Sequence, residues 1–119
     1  MSNISKTRNN YRGIRKVNKV LKCIFSVNKE SIQKIYMYGS YVYGKPNKES
    51  DIDICVIIDN DISRIDLKVE IGNKLFLERI LYCDLIIRDS YNFYKGVENN
   101  KDGIESTIVK KGRLLYERI

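Results

Sequence analysis

Ile35-Tyr36-Met37-Tyr38-Gly39-Ser40-Tyr41-Val42-Tyr43-Gly44 and then Ser50-Asp51-Ile52-Asp53-Ile54-Cys55-Val56-Ile57-Ile58 decide how this chain is read. The run Asp51 to Ile58 is apolar after its first residues, which is the pattern of a strand covered on both faces. Side chains alternate along a strand, so Asp51 and Asp53 share a side, with α-carbons roughly 6.6 Å apart. Two carboxylates aimed at one point repel, and a divalent cation is the natural partner. Upstream, Ile32 to Tyr38 reads as a second strand ending at Gly39-Ser40. A glycine there lets backbone approach a ligand, and amides opening the next short helix can face phosphate. One strand end would supply phosphate contacts and its neighbour metal ligands, as a metal–nucleotide complex requires.

The rest of the chain frames this pair. At 119 residues it is read as one domain, 1–119, with residues 1–10 frayed. From about Tyr11 to Val27, Ile14, Val17, Leu21, Ile24 and Phe25 recur at helical spacing, opposite Arg12, Arg15, Lys16, Lys19 and Lys22. That basic face is a solvated surface, the blander and preferred reading, or a docking surface for nucleic acid or an acidic partner. The net charge of +7 resides here: residues 1–29 hold eight Lys/Arg and no acid, against 14 bases and 15 acids in the remainder. Ile62, Ile65, Val69, Leu75, Phe76 and Leu77 predict a second long helix, about 62–78, with Gly72 inside it at a cost. A third strand is predicted over Ile80 to Arg88, carrying Asp84 amid apolar residues. A buried aspartate is expensive unless paired. Asp84 is therefore an edge-strand residue in solvent, a structural hydrogen-bonding group, or a third metal ligand. Tyr91, Phe93 and Tyr94 begin a helix or loop over the sheet, Ile104 to Lys111 form a last helix closed by Gly112, and Leu114-Leu115-Tyr116 is a closing extended segment.

Composition excludes several chemistries. There is no histidine, which removes Ser-His-Asp and Cys-His catalysis and histidine-ligated zinc. Cys23, Cys55 and Cys83 are odd in number and fall inside helix or strand patterns, so they read as buried free thiols in a reducing cytoplasm. No apolar run reaches the ~18–20 residues of a membrane span. Tyr36, Tyr38, Tyr41 and Tyr43 could stack on a base, though aromatics at strand ends are more often core.

Gly39-Ser40, ten residues, then Asp51-x-Asp53 resembles the signature of the DNA polymerase β-like nucleotidyltransferase superfamily, and the short chain is similar to its minimal nucleotidyltransferases. Four fixed residue types at ~5–7% usage give about one chance match per thousand chains of this length. The resemblance implies an α/β (α+β) nucleotidyltransferase fold: a small mixed sheet flanked by helices, expected mostly on one side. It implies two Mg²⁺ ions, bridged by Asp51 and Asp53, with Asp84 on the acceptor-side ion as the third catalytic carboxylate. Gly39 and Ser40 would hold the β- and γ-phosphates of ATP. Many relatives carry Arg where this chain has Tyr43, so one phosphate contact is expected to be missing. Minimal nucleotidyltransferases are often antitoxins that add AMP to a tyrosine of a HEPN-domain ribonuclease toxin, and that hetero-oligomeric role is the leading expectation. Small-molecule nucleotidyl transfer of the antibiotic-modifying kind, a non-catalytic module acting by occlusion, and RNA tailing are the alternatives.

Overall fold

In the computed structural model, which describes residues 13–46 and 50–119, the elements follow the order anticipated from sequence. They are α1 (Ile14–Asn28), β1 (Ile32–Tyr38), α2 (Ser40–Tyr43), β2 (Ile52–Ile58), α3 (Arg64–Leu77), β3 (Cys83–Asp89), α4 (Ser90–Asn99), α5 (Ile104–Lys111) and β4 (Arg113–Glu117). A one-turn 3₁₀ helix, Lys29–Ser31, joins α1 to β1. The expected fraying of residues 1–10, and Tyr11 and Arg12 of the first helix, lie outside the described residues.

The strands form one mixed sheet in the order β3-β2-β1-β4. β1 runs antiparallel to β2 and to β4, whereas β2 and β3 are parallel and connected through α3. Ile52, Ile54, Val56 and Ile58 of β2 face Val17, Val20, Leu21 and Ile24 of α1 and Leu67, Ile71 and Leu75 of α3. Cys55 and Ile57 face the other way, with Tyr36 of β1, Phe93 of α4 and Ile108 of α5. This corrects the expected one-sided arrangement: α1 and α3 cover one face, α4 and α5 the other. Each of the latter two contributes a single large apolar residue to the core, too little periodicity to be read as a layer.

Two further differences have local causes. Ile80 and Leu81 precede β3 instead of opening it, because Ile80 belongs to the close of α3. Arg79 adopts the left-handed conformation (φ 60°). Its N–H donates to the Phe76 carbonyl (3.0 Å) and that of Ile80 to Leu75 (2.8 Å), a Schellman cap with an apolar residue following it. On α3 itself the core stripe is Leu67, Ile71 and Leu75, whereas Ile65, Val69, Phe76 and Leu77, on which the helix was predicted, are exposed. Apolar side chains lie on two stripes of this helix, and only one fits under the sheet.

The carboxylate of Asp59, just beyond β2, takes a bidentate pair from Arg118 (2.9 and 3.0 Å) and a bond from Gln33 (2.8 Å). Arg118 first and then Gln33 hold its pKa below the usual carboxylate value. A depressed folded value means the contribution is present above the unfolded value of about 3.9 and is lost as pH falls through the folded one. Melting temperature followed from pH 5 to pH 2 should therefore fall more steeply for the wild type than for Asp59→Asn. No helix among the described residues is long and apolar enough to cross a membrane. Cys23, Cys55 and Cys83 are free thiols, the first two buried and the third partly so.

Candidate active site

β1 ends where the chain must reverse sharply, and Gly39 allows it. Its backbone (φ 76°, ψ −154°) lies in a region open essentially to glycine alone. A side chain there would also collide with the Asp53 carboxylate, which lies directly against Gly39. The Gly39 carbonyl accepts from Val42 (3.0 Å) and Tyr43 (3.1 Å), starting the single turn of α2, and Gly44 folds back over Ser40 to close it. Tyr41 packs against Gly13, where a Cβ would come within 2.7 Å of the ring, so the start of α1 steadies this turn. Ser40 is partly buried and Tyr43 is 48% exposed.

The register of the sheet assembles the carboxylates. Asp53 pairs with Asp84 across the parallel β2–β3 ladder and with Tyr38 across the antiparallel β1–β2 ladder. Directly paired residues project on the same face, so Tyr38, Asp53 and Asp84 form a row on the α4/α5 side. Asp51 precedes β2, exposed, and the Ile52 N–H donating to the Tyr82 carbonyl (2.7 Å) secures that entry. Asp84 lies in solvent on the edge strand, so the argument from burial does not apply to it. What joins it to the site is its pairing with Asp53.

Electrostatics agree with this placement. Asp53 is half-buried, and burial, then the charges of Asp84 and Asp51, raise its pKa above the ordinary carboxylate value. The Tyr38 hydroxyl is also pushed up, by burial first and then by Asp53 and Asp84. Burial drives the Cys83 thiol to about 12, with the three aspartates adding to it. No ion pair among the described residues engages Asp51, Asp53 or Asp84. Nor do three His, Cys, Asp or Glu side chains among them converge into a complete metal cage.

Tyr38 is the site residue that sequence reading left among several possibilities. Two residues apart on β1, Tyr38 shares a face with Tyr36, and the β1–β2 register sets it beside Asp53. Tyr36 is core, its ring stacked 6.4 Å from that of Phe93.

A mixed sheet with a Gly-Ser turn at one strand end and carboxylates at the adjacent ones is the arrangement that the resemblance to nucleotidyltransferases led us to expect. The family model for polymerase β nucleotidyltransferases matches residues 19–119, and the chain belongs to that family. It is 31% identical over 85 residues to a Methanocaldococcus jannaschii protein named as a putative protein adenylyltransferase, an alignment covering 71% of this chain and 79% of the relative. Among solved structures, a Sulfolobus solfataricus protein titled a putative nucleotidyltransferase superposes with a TM-score of 0.61 at 16% identity, over 90% of this chain and 82% of that one. The MNT antitoxin complex with tri-AMPylated HEPN toxin from Shewanella oneidensis matches with a TM-score of 0.53 at 24% identity, covering 88% of this chain and 72% of that one.

Proposed function

We propose that this chain is a Mg²⁺-dependent protein adenylyltransferase that moves AMP from ATP to a tyrosine hydroxyl of a HEPN-domain ribonuclease toxin, acting as its antitoxin in the cytoplasm. The observation that carries the reading is the side-by-side pairing of Asp53 and Asp84, with Asp51 at the mouth of the same strand. Support for the acceptor class comes from the adenylyltransferase relative and from the antitoxin neighbour crystallised with its AMPylated toxin.

The donor set fits a hard divalent cation. It is all carboxylate oxygen, repels itself, and has no cationic partner among the described residues. Mg²⁺ is commonly held by one or two carboxylates together with substrate phosphates and water, so a closed protein cage is not required. Asp51 and Asp53 would hold both ions and Asp84 the one nearer the acceptor. When bound, the ions supply charge neutralisation at the triphosphate and acidify the acceptor hydroxyl.

The chain's own residues do the rest. Gly39 and Ser40 present backbone amides and a hydroxyl to the β- and γ-phosphates. Gly39 also fixes the Asp53 carboxylate by leaving room for it. The tyrosine oxygen forms a bond to the α-phosphorus as the bond from that phosphorus to the β-bridging oxygen breaks. AMP is then esterified to the acceptor, pyrophosphate leaves, and the hydroxyl proton passes to Asp84 and on to solvent.

Intact-mass analysis of the HEPN protein, co-produced with this chain, tests the reading. Adenylyl additions localised to a tyrosine are expected with the wild type and none with Asp53→Asn. A tight complex with unmodified toxin that is fully neutralised would instead establish occlusion without catalysis.

A further inference from the structure

Five of the eleven exposed large apolar side chains among the described residues belong to α3 and the turn after it: Ile65, Val69, Phe76, Leu77 and Leu81. Phe76 is 70% and Leu81 75% exposed. Ile65, Val69 and Phe76 recur every three or four residues on the stripe of α3 turned away from the core, and Gly72 occupies the remaining place on that stripe. A Cβ on Gly72 would touch nothing within 4 Å. Among the described residues nothing therefore asks for a glycine there, although it weakens the helix. Its effect is a notch in an apolar ridge.

The notch opens into a groove of about 400 Å³ between α3 and the free edge of the sheet, lined by Lys68, Gly72, Phe76, Leu81 and, at its far end, Asp84. A second hollow of about 430 Å³, lined by Phe76, Leu77, Arg79 and Leu81, continues it past the close of α3. Its two cations, Lys68 and Arg79, make no ion pair with any described residue. The groove thus leads from an apolar, positively flanked surface to the free sheet edge at Asp84, whose side chain projects on the opposite, α4/α5 side and which is the candidate carboxylate farthest from Gly39-Ser40 in the sheet order. Phosphates at the β1 end leave the β3 end for the acceptor.

We propose that this groove seats the acceptor protein. A short apolar segment of the partner, flanked by acidic residues, lies against Gly72, Phe76 and Leu81 and passes round the free β3 edge, so that its hydroxyl meets the Asp84 end of the carboxylate row on the α4/α5 face. The inference rests on the nucleotidyl-transfer reading above and places docking on α3 and the β3 edge, away from the basic face of α1.

Gly72→Arg and Leu81→Asp, assayed with α-labelled ATP, Mg²⁺ and the HEPN protein, are expected to raise the KM for the acceptor at least about tenfold, equivalent to ~1.4 kcal/mol. Affinity for a fluorescent ATP analogue should stay within about twofold, because Gly72 and Leu81 line the α3 groove and Gly39 and Ser40 do not. Gly72→Ala should raise the Tm by about 4 °C, as expected if no internal contact needs the glycine. Unchanged acceptor KM in both groove variants, or a loss seen only on reversing Arg15 and Lys19, would overturn the docking site while leaving the transferase reading intact. Absence of label with the wild-type chain would overturn both.

Discussion

Asp53→Asn should abolish nucleotidyl transfer and at the same time stabilise the metal-free protein. The carboxylate is the centre of the row, paired with Asp84 on one side and Tyr38 on the other. Losing it removes a shared ligand of the proposed ions, worth several kcal/mol of transition-state stabilisation, so the rate should fall by at least ~10³-fold. The stability gain follows from the raised pKa, which burial causes first and the neighbouring carboxylates reinforce. A carboxyl with a raised folded value favours folding while protonated, and that contribution disappears as pH rises through the folded value. At pH 7 in chelator the ionised group is therefore a burden that asparagine lacks. The variant should melt higher than the wild type there, with the difference shrinking as pH falls toward 4. Adding Mg²⁺ with ATP should raise the wild-type Tm and leave that of the variant nearly unchanged. Opposite movement of activity and stability is the signature of a residue kept for chemistry.

Gly39→Ala carries the other large effect. The backbone there lies where a Cβ is strained, and the added methyl collides with the Asp53 carboxylate. The expected loss is about 2–4 kcal/mol in urea unfolding, compounded of strain and displacement. Transfer should fall about 100-fold even where the variant is fully folded, since a shift of about 1 Å in a positioning group has that consequence. Gly44→Ala, which meets Ser40 but not Asp53, provides the comparison. Its effect should appear in nucleotide affinity more than in the rate of the bound complex.

The difference between these two glycines indicates how far sequence could go. Gly39-Ser40 and Asp51-x-Asp53 were legible because each is local: a turn residue at a strand end, and alternation along one strand. β1 was bounded as found, Ile32–Tyr38, and α5 likewise, Ile104–Lys111. What escaped depends on pairing between segments distant in sequence. For Asp84 the sequence leaves open an exposed edge position, a structural hydrogen bond or a metal ligand; it is exposed on the edge strand, and its place beside Asp53 follows from the parallel register of β2 and β3. Tyr38 joins the row for the same kind of reason. On α3, apolar periodicity identified the helix but not its inner face. Leu67, Ile71 and Leu75 were outnumbered by apolar residues that the fold leaves outside. That surplus, invisible as a surplus until the core is known, is what marks α3 as a surface for another protein.

The most direct test of the account uses ATP labelled separately at the α- and γ-phosphates, with Mg²⁺, the purified chain and the HEPN protein. The account predicts label on the HEPN protein from the α position only, with pyrophosphate released, and none with Asp51→Asn, Asp53→Asn or Asp84→Asn. Label from the γ position, or α-label undiminished in all three variants, would contradict it.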